Sequence, residues 1–450
     1  MKILLKNAMV ITMNPTRDVY RSGNILIEDD KITKLGHFNP PADCDEIMDC
    51  QGKTIMPSFV NTHTHTSQQL ARGLADDVDL LTWLRERIWP YESSMTEEDS
   101  YISTLLFCVE QIKAGCTSIA EPGGQFVSGM AKAVIEAGIR AKLAKSVMDC
   151  GEGLPKAWQH TTDEELAKQE EDLKKYHNTA DGRVKVWFGI RTIFNATDEL
   201  ILRSKELADK YGVGVHMHIA EAKSEVEYAK ATRGCTTVTH LNNLGFLDKN
   251  IIAAHSVWLS NEEVEMFRKH DVKVSHNPAS AMRVLGFAKI PRMLREGVCV
   301  ALGTDGTPTN NRMNMVDEMW VTSLIHKGWR LEPDVVKAEE ILAMATINGA
   351  RAVGDEALYG SLEEGKKADL IIINPNLNAD MLPVHDPIAN LVTSMHSTNI
   401  ECTMCDGRWL MKDRILQTLN EEEILRAGRE HAAAICKRGN IVLPDRFPML

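Results

Sequence analysis

No stretch of this sequence approaches the ~18 consecutive apolar residues that a membrane-spanning helix needs. An integral helical membrane protein is therefore excluded as an expectation. An excess of positive charge is missing too: 51 Lys and Arg stand against 63 Asp and Glu, a net charge of −12. Proteins that grip phosphate backbones concentrate cations to displace counterions, so nucleic acid is not an expected partner. The opening "MKILLKNAMVITM" interrupts its apolar run with Lys2 and Lys6 and lacks the long core of a secretion signal, which points to the cytoplasm. There is no disulfide framework either, because ten cysteines scattered over 450 residues read as reduced, mostly buried thiols. Cys402 and Cys405 have the spacing of half a zinc knuckle, but no second pair or nearby His completes four ligands, so they are read as packing residues. No linker, low-complexity tract or internal repeat divides the chain.

What is present is an ordinary globular composition, 44% hydrophobic and 25% charged. At 450 residues the chain exceeds the size at which one simple core stops growing, so a large domain plus something smaller is expected. The N-terminal segment reads as short strands: "KILLKNAMVITM", "NILIEDDKITKLG" with Asp29-Asp30 turning a hairpin, and "TIMPSFVN". From about Glu98 the pattern becomes helix followed by short apolar strand, repeated; "SNEEVEMFRKH", for example, starts on a capping box between Ser260 and Glu263. Eight candidate strands lie near Val60, Ile119, Leu143, Val186, Val215, Ile252, Val274 and Val300. That alternation implies a parallel sheet, and eight strands imply a closed (β/α)₈ TIM-like barrel in an α/β protein. The chain returns to β in "GSLEEGKKADLIIINP" and "IECTMCDGRWLMKD". The expected organisation is a barrel over residues 58–357, with 1–57 and 358–450 combining into a small composite β-sandwich that also carries a terminal helix.

The chemistry-bearing residues fall where barrel strands end. "THTH" ends the first, "HMHIAE" the fifth, "AAHS" the sixth and "LGTDG" the eighth. The C-terminal ends of barrel strands converge on one pocket, so these scattered motifs predict a single site. Side chains at i and i+2 of a strand share a face, so His63 and His65 can bind one ion from one side. A third His and a carboxylate then complete an N/O donor set suited to zinc, with a position left for water. His216 and His218 also point the same way; His218 lies nearer the mouth, three residues before the candidate acid/base Glu221, so His218 is chosen as ligand and His216 is left in the barrel interior.

This series resembles the amidohydrolase superfamily, and within it the branch of 5-methylthioadenosine/S-adenosylhomocysteine deaminases and atrazine-type chlorohydrolases. The resemblance covers nearly the whole chain, from "IMPSFVNTHTH" through "WLRERIWPYE", "HMHIAE", "AAHSVWLS", "SHNPAS" and "ALGTDGTPTNN" to "GSLEEGKKADLIII". It implies that His63, His65, His218 and Asp305 hold one metal ion, zinc or iron, that His255 hydrogen-bonds the metal-bound water, and that Glu221 carries protons to and from the ring. The implied reaction is hydrolytic deamination of an amino-substituted purine nucleoside of the 5-methylthioadenosine, S-adenosylhomocysteine or adenosine type. A hydroxide formed on the metal attacks the ring carbon, Asp305 and His255 handle its proton, and ammonia leaves.

The same resemblance assigns Glu92, in "WPYE", to ribose hydroxyls and places Trp83 near the nucleoside. Where those deaminases read "FGPHSPY" this chain reads "FGIRTIF", so Arg191 stands in place of a substrate-contacting His. A fixed guanidinium suits a carbonyl or anionic group better than an adenine nitrogen. Ser280-Ala281 after "HNP" and Thr309 after "TDG" also depart from the usual pattern. Guanine, pterin and s-triazine aminohydrolase or chlorohydrolase activities are therefore the enzymatic alternatives, and a noncatalytic amidohydrolase-like scaffold is the alternative of another class. The expected partners are a small heterocyclic substrate and copies of the chain itself, as a homodimer or homotetramer.

Overall fold

In the computed structural model, which describes residues 1–78, 82–443 and 446–447, the eight short apolar runs become eight parallel strands. They are β1 (Phe59–Asn61), β2 (Cys116–Gly124), β3 (Arg140–Val147), β4 (Phe188–Ile190), β5 (Val215–Ile219), β6 (Ile251–His255), β7 (Lys273–His276) and β8 (Val300–Leu302). Each pairs with its neighbour in chain order. The ring is closed at its C-terminal mouth: the Thr62 amide donates to the Leu302 carbonyl at 3.0 Å, and the Asp305 amide to the His63 carbonyl at 2.9 Å. Beyond these bonds Thr64–His65 pairs in parallel with Asp305–Gly306.

The first strand is shorter than the sequence suggests, ending at Asn61 rather than running through His65. Asn61 is the cause, because its Oδ1 accepts from the Thr304 amide at 3.1 Å and its Nδ2 donates to Thr304 Oγ1 at 2.8 Å. The side chain thus takes over pairing that a continuing strand would supply with backbone. Helices outside the barrel begin where the sequence places caps, with capping boxes at Thr96/Asp99, Thr161/Glu164 and Ser260/Glu263.

The two ends of the chain form one nine-stranded mixed sheet. Val19–Glu28 and Lys31–Gly36 make the hairpin turned at Asp29, whose φ is 54°. The sheet is joined across the chain where Thr54–Pro57 runs antiparallel to Leu370–Ile373. Alternation gives these strands two apolar faces: Ile55, Leu370, Ile372, Cys402 and Met404 pack with Ile3, Leu5, Ile25 and Ile27, while Met56, Ile371, Ile373 and Cys405 join the barrel core. Each such buried side chain contributes roughly 1.5–3 kcal/mol, which welds sheet to barrel. The terminal helix Glu421–Arg438 also packs on the barrel, with Ile424 and Ile435 in its core and His431 bonded to Asp99 at 2.7 Å. No helix among the described residues is long and apolar enough to cross a membrane.

Candidate active site

At the barrel mouth β5 points Val215, Met217 and Ile219 outward into the core and leaves His216 and His218 facing inward. His218 Nε2 lies 3.3 Å from His65 Nε2. Asp305 Oδ1 lies 3.4 Å from His63 Nε2 and 3.5 Å from His65 Nε2. The donor atoms of His63, His65 and Asp305 lie within 4.8 Å of one another, as do those of His63, His218 and His255. All five side chains are buried. Three left-handed backbone turns bring them together: Ala220 (φ 52°) after β5, His255 and Ser256 (68° and 50°) at the end of β6, and Asp305 (61°) after β8. Such conformations cost non-glycine residues on the order of 1 kcal/mol or more each, and they recur where a site dictates the chain path.

The donor set fits a divalent metal ion. His63 Nε2 and His255 Nε2 are buried with no hydrogen-bond partner, an arrangement that costs roughly 1–3 kcal/mol per group unless something else satisfies them. Burial pushes the His63 imidazole down to about 3 and holds His216 and His218 well below the ordinary value. Burial works the other way on Asp305, but the adjoining His63 and the other nearby imidazoles hold its carboxyl well below the usual range. Neutral imidazoles and an ionised carboxylate are the forms that bind metal.

A second layer fixes the rings. His218 Nδ1 donates to the Arg191 carbonyl at 2.8 Å, leaving the Nε2 lone pair toward the site. His216 Nε2 sits 3.0 Å from His63 Nδ1, so the interior histidine supports a candidate ligand rather than replacing it. Glu121, at the C-terminal end of β2, accepts from the Thr66 and Gly123 amides and lies 3.6 Å from His65 Nδ1. Asn277 Nδ2 lies 3.2 Å from His255 Nδ1; an amide N–H can only donate, so the His255 ring proton sits on Nε2. That Nε2 faces Glu221 Oε1 at 3.7 Å and Asp305 Oδ2 at 4.0 Å. Ser280 and Thr309, two positions of departure in the sequence, both donate to Asp305 Oδ2, at 2.5 and 3.0 Å.

Above the cluster opens a cavity of about 830 Å³ whose wall includes His65, His218, Asp305, Glu221, Arg191 and Trp83. Arg191 is half-buried there. Glu92 is placed differently: it is half-buried in the helix Trp89–Ser93, is absent from the cavity wall, and accepts a hydrogen bond from Gln68 Nε2 at 2.7 Å. Gln68 stands between it and Gly306. Sequence reasoning missed Glu121, Asn277 and Glu225. The buried Glu225 carboxylate accepts the amides of Ala220 and Glu221, both at 2.8 Å, and so holds the turn that presents Glu221. Only Glu121 had a usable signal, a carboxylate at a barrel strand's C-terminal end.

The family model for the amidohydrolase family matches residues 54–410. The chain belongs to the amidohydrolase family. This amidohydrolase is 39% identical over 430 residues to a 5'-deoxyadenosine deaminase of Methanobrevibacter smithii, covering 95% of this chain and 97% of that protein. It is 37% identical over 436 residues to a 5-methylthioadenosine/S-adenosylhomocysteine deaminase of Syntrophomonas wolfei, covering 96% and 99%. Among solved structures, an adenosine deaminase from Xanthomonas campestris with bound zinc superposes with a TM-score of 0.91 at 26% identity, covering 97% of this chain and 98% of that one. The atrazine chlorohydrolase TrzN from Arthrobacter aurescens, at 23% identity, TM-score 0.90 and coverage of 96% and 100%, shares the fold.

Proposed function

We propose that this amidohydrolase is a zinc-dependent hydrolytic deaminase of adenine nucleosides of the 5'-deoxyadenosine, 5-methylthioadenosine, S-adenosylhomocysteine and adenosine type, working in the cytoplasm. One observation carries the reading: the orphaned Nε2 atoms of His63 and His255 converge with His65, His218 and Asp305 beneath a cavity with Glu221 on its wall. Deaminases similar over nearly the full chain support the substrate class.

His63, His65, His218 and Asp305 would hold the ion, which when bound lowers the pKa of a water toward ~7. Asp305 Oδ2 accepts that water's proton, and the Nε2–H of His255 orients its oxygen. Protonated Glu221 donates to the ring nitrogen beside the amine-bearing carbon, making that carbon electrophilic. Addition of the oxygen gives a tetrahedral carbon. The proton taken by Asp305 passes to the amine and the proton on the added oxygen returns to Glu221, so ammonia leaves, a carbonyl remains and both carboxyl groups regain their starting protonation. Trp83 offers an aromatic face to the base. We assign 58–357 to the catalytic barrel and 1–57 with 358–450 to the flanking unit.

The ribose role of Glu92 rests on the P-x-E motif, since Glu92 is absent from the cavity wall and its Oε1 accepts from Gln68 Nε2 at 2.7 Å. Arg191 favours a second reading, an oxo-purine, pterin or triazine, since a guanidinium on the wall suits a carbonyl. Ammonia release by zinc-loaded protein, measured on methylthioadenosine, 5'-deoxyadenosine, S-adenosylhomocysteine, guanine, a pterin and an aminotriazine, decides between them. Turnover confined to guanine, the pterin or the triazine overturns the nucleoside reading.

A further inference from the structure

Glu318 lies in the first turn of the helix Met315–Arg330, which follows β8, and it is fully buried. Its two oxygens meet two neutral N–H donors: Oε2 accepts from the Ala279 amide at 3.1 Å, and Oε1 from Asn310 Nδ2 at 2.7 Å. Burial pushes this carboxyl up to about 8, a cost to folding that an apolar side chain would not carry. The two donors belong to segments that converge on one atom. Ala279 precedes Ser280, whose hydroxyl donates to Asp305 Oδ2 at 2.5 Å. Asn310 follows Thr309, whose hydroxyl proton is shared between Asp305 Oδ2 at 3.0 Å and the Gly306 carbonyl at 2.7 Å. The second hydrogen of Asn310 Nδ2 goes to the Thr304 carbonyl at 2.8 Å, one residue before Asp305. A single carboxyl group thus ties the segment after β7 to the segment after β8, and both fix Asp305, one through hydroxyls on Oδ2 and the other also through the backbone before its left-handed turn (φ 61°). Glu318 itself is absent from the cavity wall.

We propose that Glu318 is a positioning residue for the reaction: by holding the Ala279 amide and the Asn310 side chain together, it sets the plane of the Asp305 carboxylate. The inference rests on the reading of Asp305 as metal ligand and proton acceptor. That plane divides two tasks. Oδ1 faces His63 Nε2 and His65 Nε2 at 3.4 and 3.5 Å, whereas Oδ2 takes the two hydroxyls and lies 4.0 Å from His255 Nε2. A carboxylate free to turn about its Cβ–Cγ bond would hold neither oxygen to its task. The residue type follows from the partners. Both are N–H donors, so one side chain must offer two acceptors at this reach. Gln has one acceptor oxygen and would set its own NH₂ against the other donor, and Asp is one methylene shorter.

The test is the zinc affinity of the full zinc-loaded chain, measured by competition with a chelator, because it does not depend on which substrate is turned over. Glu318→Gln, which keeps one arm, is expected to raise the zinc Kd about 10-fold, and Glu318→Met, which removes both, about 100-fold, the range for lost partners of a metal ligand. At saturating zinc kcat should fall by about 10-fold or more while KM stays within about threefold, since Glu318 does not line the cavity. Ser280→Ala should weaken zinc binding too. Combined with Glu318→Gln it should fall well short of the product of the single effects, because both changes act on the same carboxylate oxygen. The Tm of metal-free Glu318→Gln should hold or rise, which separates a misplaced Asp305 from lost folding. A zinc Kd and kcat within about twofold of the unaltered protein overturn the proposal. So do losses that multiply in the double variant, and so does a Tm that falls while zinc affinity is unchanged, which would make Glu318 a structural tie. Asp305→Asn tells this failure from failure of the site. Zinc and turnover retained in that variant overturn the ligand reading and this inference with it; both lost there, with neither moved by the Glu318 changes, overturns this inference alone.

Discussion

The barrel buries polar clusters at both ends, and they are built on opposite principles. At the N-terminal end Arg140 donates to Asp369 at 2.6 Å and to Asp406 at 2.8 Å, Asp355 is clasped by Lys142 and, at 2.6 Å, by Lys185, and Tyr359 closes on Ser118 at 2.9 Å. These carboxylates meet cations supplied by the chain itself. At the C-terminal mouth, five buried ligand-type side chains include two whose Nε2 atoms are unpartnered, and four residues there are left-handed. A buried charge paired within the chain specifies structure, whereas a buried donor set left open is ready for something from outside. Burial and polarity alone do not separate the two; the completeness of pairing does.

The largest effect that can break this comparison is His63→Ala. It should abolish stoichiometric zinc and lower kcat/KM by about 10³-fold or more, while the Tm of the metal-free protein changes little or rises, because a strained and unsatisfied cluster has been relieved. A metal-free protein that collapses on this change would make the mouth a structural cluster after all. Glu221→Gln comes next: zinc should remain by elemental analysis while kcat falls roughly 10²- to 10⁴-fold, the range for a lost general acid. Asp369→Ala makes the reverse test. Removing one partner of a buried pair costs about 3–5 kcal/mol, so denaturant unfolding should shift strongly while turnover per folded molecule stays near the unaltered value.

Much of the mouth was legible because its members lie at strand ends, where period-2 alternation fixes which side chains face inward. His63 with His65 and His216 with His218 follow from that rule; His255 and Asp305 follow from their place at strand ends and from the family resemblance, and the count of eight strands from the alternation of helix and strand. What escaped acts across sequence distance or through backbone. Asn61 stops the first strand by bonding Thr304, 243 positions away, and Glu225 works by accepting two amides rather than by facing the cavity. Glu92 shows another limit: its ribose role is read from a motif by resemblance, and in the fold its carboxylate accepts from Gln68 rather than lining the cavity wall. The ion pairs of the lower end were equally invisible, because "RAKLAKSV" spreads three cations along a strand whose every residue is buried.

A smaller effect sharpens the comparison, because the two ends should respond to pH in opposite directions. Near the mouth, burial pushes the Glu318 carboxyl up to about 8 from 4.5, although the Ala279 amide at 3.1 Å and the Asn310 side chain at 2.7 Å oppose it. The folded protein then keeps a proton that the unfolded chain releases above 4.5, so this contribution to stability is complete below 4.5 and lost as pH rises to about 8. Glu225, pushed up by burial to about 7, acts in the same sense. At the lower end burial depresses Lys142 from 10.5 to about 7 against the pull of Asp355; its contribution is complete above 10.5 and lost as pH falls to about 7. Glu318→Gln should therefore raise the Tm relative to the unaltered chain more at pH 9 than at pH 5. Lys142→Met, which also breaks the pair with Asp355, should lower the Tm less at pH 6 than at pH 10. Tm measured across that range for both variants reads the two signs separately, and equal shifts at both extremes would mean that neither group changes its proton affinity on folding.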